Sequence, residues 1–225
     1  MSFDSHGYLY VANYNRRDVE VYAPGVGRPV KHYRIGLSSP SDVAVGPDGT
    51  VYVVDGGILG YDSNVVEYGH GSESPTARFN IRQGLVRAVA VDRAGTLYVS
   101  YLANGGVEGQ VNAYAPGSTE PTNLELYELG AGTFGVAVDA AGDVLVADSE
   151  NFHSYINVYP HGQALPAASL SVTSDGNLVG DIRLMASGRI AVAMSAYTAI
   201  VCLQCHDKPI ELPVSSNGVA VFPPK

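Results

Sequence analysis

Short apolar runs between tight turns, a unit recurring roughly every 46 residues, and a polarity gradient within each unit predict an all-β chain. The expected form is a five-bladed β-propeller of four-stranded antiparallel blades, one domain spanning residues 1–225. No long apolar pattern at helical spacing interrupts the runs, which are bounded by Gly, Pro, Asp and Asn. Three landmarks keep the period together. Hairpin glycines stand at Gly7, Gly49, Gly95, Gly142 and Gly188, and a later run ends at Tyr22, Tyr68, Tyr114, Tyr159 and Leu203. A proline follows at Pro29, Pro75, Pro121, Pro166 and Pro209.

Each unit holds four strands. The first is Val43 to Val45, Val89 to Val91, Val136 to Val138, Ile182 to Leu184 and Val219 to Val221. A turn such as Pro47-Asp48-Gly49 follows, because the hairpin needs a positive φ that glycine adopts without a Cβ clash. The second strand is typified by Thr50 to Val54 and the third by Val19 to Tyr22 and Val111 to Tyr114. The fourth is typified by Lys31 to Ile35 and Ala77 to Ile81. The first two strands are apolar on both faces, as a blade between two neighbours requires. The fourth carries Lys31, Arg34, Arg78 and Glu125, charges that suit an exposed sheet edge. The chain opens at a second strand, Tyr8 to Ala12, and closes on a first strand, Val219 to Val221. Pairing the N-terminal strands with that C-terminal inner strand completes one blade and joins the ring.

Composition narrows function. The formal net charge of −9 repels phosphate backbones and argues against nucleic acid as a partner. No run approaches the roughly 20 apolar residues of a membrane span, so no membrane insertion is expected. The start, Met1-Ser2-Phe3-Asp4, has neither a basic nor an apolar leader region. The chain is therefore cytoplasmic or has lost a leader, and an extracytoplasmic setting is preferred. Two cysteines make no disulfide framework.

Pro40-Ser-Asp-Val-Ala-Val-Gly-Pro-Asp-Gly-Thr-Val-Tyr-Val-Val-Asp55 resembles the NHL-repeat family, as do Gly135 to Asp148 and Leu9 to Asn13. The resemblance covers four units closely and the fifth, Ala186 to Phe222, loosely. It implies a propeller. It also implies a family whose members include sensor domains, RNA- and protein-binding modules, and lyase or lactonase relatives.

Loops before the first strand and after the second should meet around the channel mouth. They bring Asp42, Asp55, Asp148 and Asp181, with Asn13 and Asn217, to one face. Arg87, Tyr101, Phe134, His153 and Met194 join them. Convergent oxygen ligands at Asp42, Asp55, Asp148 and Asp181 suit Ca²⁺ or another divalent cation. The alternative for such acids is to hold loop backbone. The loops after the second strand vary between repeats while the opposite turns stay alike, which places a binding face at Asp42, Asp55, Arg87, Tyr101, Phe134, Asp148 and Asp181. No catalytic motif stands out. The leading expectation is a non-enzymatic binding, scaffolding or sensor module, of the kind found in bacterial proteins, for a protein or a small polar ligand. A metal-dependent lyase or lactonase using the channel-mouth carboxylates is the alternative. Cys202-Leu-Gln-Cys205-His206 matches the c-type haem attachment pattern and supplies a third reading. That motif falls on a third strand and turn where no other unit offers a haem pocket. His70 and His161 occupy matching turns and are expected in solvent, whereas the repeated tyrosines Tyr22, Tyr68, Tyr114 and Tyr159 are expected in the core.

Overall fold

The computed structural model describes residues 1–56, 63–81, 84–151, 153–173, 179–184, 189–194, 198–202 and 210–212. Within them the chain is all-β, with no helix, and so with none long and apolar enough to cross a membrane. Twenty strands form five four-stranded sheets, each antiparallel and in simple sequence order. The first sheet is β1 (Ser2–Phe3), β2 (Leu9–Asn13), β3 (Asp18–Tyr22) and β4 (Lys31–Tyr33). The second is β5 (Pro40–Val45), β6 (Val51–Asp55), β7 (Asn64–Tyr68) and β8 (Ala77–Asn80). The third is β9 (Leu85–Val91), β10 (Leu97–Ala103), β11 (Glu108–Tyr114) and β12 (Thr122–Asn123). The fourth is β13 (Val136–Val138), β14 (Val144–Glu150), β15 (His153–Tyr159) and β16 (Ala168–Thr173). The fifth is β17 (Val179–Leu184), β18 (Arg189–Met194), β19 (Thr198–Cys202) and β20 (Ile210–Leu212).

Alternating side chains bury both faces of the second, third and fourth sheets. Val19, Val21 and Tyr33 of the first sheet pack on Val51, Val53, Val66 and Tyr68 of the second. On the second sheet's other face, Tyr52, Val54, Val65 and Phe79 meet Leu97, Val99 and Tyr101 of the third. Tyr98 and Val111 then meet Val144, Val146 and Tyr159, and Leu145, Ala147 and Ile156 meet Ile182, Ile190 and Val192. Each such Val, Ile or Leu contributes about 1.5–3 kcal/mol on burial. Burial is the chief force that stacks the sheets. Directional bonds refine it. The Tyr68 hydroxyl donates to the carbonyl of Ile35, just after the preceding sheet, at 2.6 Å, and Tyr159 does the same to Tyr127 at 2.6 Å. Tyr68, Tyr114 and Tyr159 are buried as expected. Tyr22 is half-buried and donates instead to Glu20 at 2.8 Å.

The N-terminal strands differ from expectation. The inner neighbour of β2 is β1, with Ser2 opposite Tyr10 and Phe3 opposite Leu9. The edge of Leu9–Tyr10 assigned to Val219 to Val221 is therefore occupied from the N-terminal side, and Val219 to Val221 lie outside the described residues. Two residues carry too little pattern to read as a strand. Extending the repeat back from Gly7 does find them, because Ser2 and Phe3 align with Ala44 and Val45.

Two glycines carry the geometry. Gly49, at φ +83°, closes the β5–β6 hairpin, and a Cβ there would sit 2.3 Å from Nδ1 of the exposed His70. Gly135 lets the fourth sheet approach the fifth, since a Cβ would stand 2.9 Å from the Ile182 backbone nitrogen and 3.2 Å from the Asp181 Cα. Gly135→Ala must push two inner strands apart, so thermal unfolding should show a loss of about 1–3 kcal/mol. Gly27→Ala, with nothing within 4 Å of its Cβ, should leave the melt unchanged or slightly raised. Equal melting of the two variants would show that this close approach does not constrain the fold.

Candidate functional site

The first strands of three sheets are irregular near where they begin. Pairing of β5 with β6 shifts between Pro40 and Asp42, pairing of β9 with β10 at Arg87, and pairing of β17 with β18 between Val179 and Asp181. The extra residue in each bulge re-aims the side chains beside it. In the fourth sheet Phe134 stands at the corresponding place. Its N–H donates to Ala147 at 2.9 Å and its carbonyl accepts the Ser100 hydroxyl at 2.8 Å.

Asp42 and Asp181 occupy equivalent positions and the structure brings them together, on a residue the sequence reading passed over. Arg183 donates through Nη2 to Asp42 at 2.6 Å and through Nη1 to Asp181 at 2.5 Å. Its Nε reaches the carbonyl of Met1 at 3.1 Å, and the Met1 ammonium stands 3.4 Å from Asp42. The second Asp42 oxygen accepts the Val89 N–H of the next inner strand at 3.1 Å. Burial works against the charge of Asp42, yet Arg183, the ammonium and the amides of Val89 and Val43 hold its pKa below the usual value. Asp181 shares the same guanidinium and has fewer donors. Burial pushes it up to about 6 against the pull of Arg183, and the charge of Asp42 pushes the same way.

A sequence signal for Arg183 exists. In the other sheets the equivalent residues are small and face a large partner across the ladder: Ser2 with Tyr10, Ala44 with Tyr52, Ala90 with Tyr98, Ala137 with Leu145. In the fifth, Arg183 faces Ala191, so size is exchanged across the pair.

Arg87 and Phe134 also meet. The guanidinium lies 4.9 Å from the Phe134 ring centroid, a cation–π contact between the third and fourth sheets. Arg87 Nε is buried without a hydrogen-bond partner, and burial lowers the pKa of the group. Tyr101 serves its own sheet instead: its hydroxyl donates to Gln110 at 2.5 Å with Asn112 Oδ1 at 3.4 Å, and burial raises its pKa.

Asp55 ends β6 and Asp148 lies two residues before the end of β14, and each holds the loop entering its own sheet's first strand. Asp55 accepts the N–H groups of Ser38 at 2.8 Å and Ser39 at 2.6 Å, with the Ser38 hydroxyl at 3.1 Å. Asp148 accepts the Gly130 N–H at 3.2 Å and the Thr133 hydroxyl at 3.3 Å, and burial raises its pKa. It also borders a cavity of about 450 Å³ with Glu128, Glu150, Tyr155, Asn157 and Ser169. Asn13 accepts the Arg16 N–H at 3.1 Å, and the exposed His153 faces the Asn151 carbonyl at 3.3 Å. All four candidate carboxylates thus have protein partners, and among the described residues no three of them gather as metal ligands. The one such group is Asp18, Glu20 and His32 on the first sheet, which the sequence reading missed. Cys205, His206 and Asn217 lie outside the described residues.

No family model matches the chain, and no curated protein matches it in sequence. Solved structures do match in shape. Hydrazine synthase of Kuenenia stuttgartiensis aligns over 95% of this chain with TM-score 0.70 and 13% identity. A nidogen–laminin complex aligns over 95% with TM-score 0.68 and 14% identity, covering 80% of that chain. The Dos1 propeller aligns over 93% with TM-score 0.59 and 8% identity. The fold is a β-propeller. The chain spans 65% of the matched hydrazine synthase chain and 56% of the Dos1 chain, so these likenesses carry the propeller architecture alone.

The Asp42–Arg183–Asp181 cluster sets a pH dependence. Asp181 has a raised pKa in the fold, so its stabilising contribution is complete below the ordinary carboxylate value near 4 and is lost as pH rises through about 6. Asp42 is lowered, so its contribution is present above the ordinary value and is lost only as pH falls through the lowered one. Between pH 7 and pH 5 Asp181 dominates the pair. Its contribution should grow by on the order of 1 kcal/mol across that range. Thermal melts at the two pH values should show Asp181→Asn losing that gain. Parallel pH responses of variant and parent would mean that Asp181 ionises at an ordinary value.

Proposed function

We propose that this chain is a non-enzymatic binding module. In this reading the five blades form a closed ring related to the NHL-repeat propellers, and the channel-mouth face holds a small anionic ligand against Arg87. The bonds from Arg183 to Met1 and Asp42 support closure, because they tie the fifth sheet to the first two. The motif-level resemblance of Pro40 to Asp55 supports the kinship.

One observation carries the ligand assignment. Arg87 has a buried Nε with no acceptor and no ion pair among the described residues, in a chain of net charge −9. Its plane is steadied by Phe134, so little rotamer freedom remains to be lost on binding. A carboxylate or similar planar anion supplies the missing acceptors in a bidentate fashion. The acids nearby are engaged with loop amides or with Arg183, which favours recognition over metal-assisted lyase or lactonase chemistry. Propellers serve enzymes and assembly proteins alike, so the site and not the fold carries this reading.

The test is a thermal-shift and calorimetric panel of mono- and dicarboxylates, inorganic phosphate and the neutral amides of the same acids. A carboxylate should bind and its amide should not. Arg87→Ala should weaken binding about 10–100-fold, the worth of one charged hydrogen-bonded contact. His70→Ala, at the opposite end of the strands, should leave it unchanged. Undiminished binding to Arg87→Ala, equal binding of the amide, or no binding across the panel would each overturn the assignment.

A further inference from the structure

The first blade carries a second polar centre, away from the channel mouth. Asp18 and Glu20 lie two residues apart on one face of β3, and His32 faces Glu20 across the ladder on β4. One donor atom from each lies within 4.8 Å of the others. Asp18 is fully buried, Glu20 is 5% exposed, and the His32 side chain is 28% exposed. The equivalent pairs in the next three blades are uncharged: Asn64 and Val66, Gln110 and Asn112, Tyr155 and Asn157. Only the first blade buries two carboxylates at this position among those four.

Their hydrogen bonds are incomplete. One Asp18 oxygen faces His32 Nδ1 at 2.9 Å and Arg34 Nε at 3.0 Å. Glu20 is bonded by Arg16 at 2.8 Å and by Tyr22 at 2.8 Å. The other Asp18 oxygen, shut off from water, has no partner. A buried anionic oxygen without a donor is costly, and an ordered ion is one way to complete it.

We propose that Asp18, Glu20 and His32 form a binding site for a divalent transition metal of the Zn²⁺ class. One imidazole nitrogen and two carboxylates make a mixed donor set that suits zinc and its neighbours better than the all-oxygen preference of Ca²⁺. Donors at about 2.0–2.2 Å from a tetrahedral ion stand roughly 3.3–3.6 Å apart, so side-chain rotation closes the present spacing. The ion takes over Asp18 Oδ1 and the Nδ1 lone pair of neutral His32. Arg16 and Arg34, whose side chains are 65% and 64% exposed, swing into water, and the ion takes over their charge beside the buried carboxylates. Two carboxylates balance the charge of the ion, and the fourth position is left for water or a partner's donor.

Isothermal titration of the chelator-treated full chain with Zn²⁺, and separately with Ca²⁺, tests this. One equivalent of Zn²⁺ should bind more tightly than Ca²⁺ and raise the melting temperature. Asp18→Asn and His32→Ala should each weaken Zn²⁺ by at least the roughly 10–100-fold that loss of an outer partner costs. Arg34→Ala should bind Zn²⁺ as well as the parent or better, because it removes a competing cation. That gain is not expected of a cluster that serves only as an ion-pair network. His6→Ala and His70→Ala should be unaffected. If Asp18→Asn melts before binding can be measured, His32→Ala, at a partly exposed position, decides the matter. No Zn²⁺ binding by the parent, equal binding by His32→Ala, or preference for Ca²⁺ would overturn the proposal.

Discussion

A sheet that is apolar on both faces cannot stand alone in water, and this constraint governs the chain. Val53 and Val66 must be covered on one side of the second blade while Val54 and Val65 must be covered on the other. The second, third and fourth blades accordingly each have a neighbour on both sides. The right-handed twist of strands supplies the fanned geometry that lets flat units pack around an axis. The hydrophobic term dominates by size: a single buried valine matches or exceeds the roughly 1 kcal/mol of a hydrogen bond such as that of Tyr68. The polar contacts accordingly set register and spacing more than they set stability. Asp42 to the Val89 amide fixes one blade step, and Gly135 allows the tighter one between the fourth and fifth blades.

The repeat makes the fold legible in the sequence because hairpin glycines and strand-ending tyrosines answer local demands. Gly49 takes a positive φ, and Tyr68 and Tyr159 each donate to a carbonyl that follows the preceding sheet. Ser2 and Phe3 escaped notice for the opposite reason. A two-residue strand has no alternation to read, and only the period of its successors marks it.

The candidate site was legible by position and not by partner. Asp42 and Asp181 could be placed at one mouth from the repeat alone, yet their chemistry depends on Arg183, 141 residues from Asp42. No local pattern encodes that distance. The same limit applies to Asp55 and Asp148. A carboxylate after a strand looks the same in sequence whether it faces a ligand or an amide, and the direction of the Ser38–Ser39 and Gly130–Thr133 loops decides between them. Asp18 and Glu20 had a signal that went unused, since they depart from neutral residues at the same ladder position in three later blades.

That departure points to a general way of reading repeat chains. A residue shared by all units answers the common architecture. A residue that breaks the pattern at a buried position costs stability without serving that architecture, so it calls for a separate cause. Arg183 in place of alanine finds its cause in Asp42 and Asp181. Arg87 and Asp18 do not find theirs within the described residues: Arg87 Nε and Asp18 Oδ1 are the two buried side-chain atoms there that lack any partner. One is a donor on a cation and the other an acceptor on an anion. They lie on different blades, so they cannot satisfy each other without undoing the sheets between. On the proposed readings each takes a complement of opposite character, an anion for Arg87 and a cation for Asp18. The same accounting of hydrogen bonds that explains the ordinary residues thus separates the two proposed sites and is the ground on which each is assigned a ligand class.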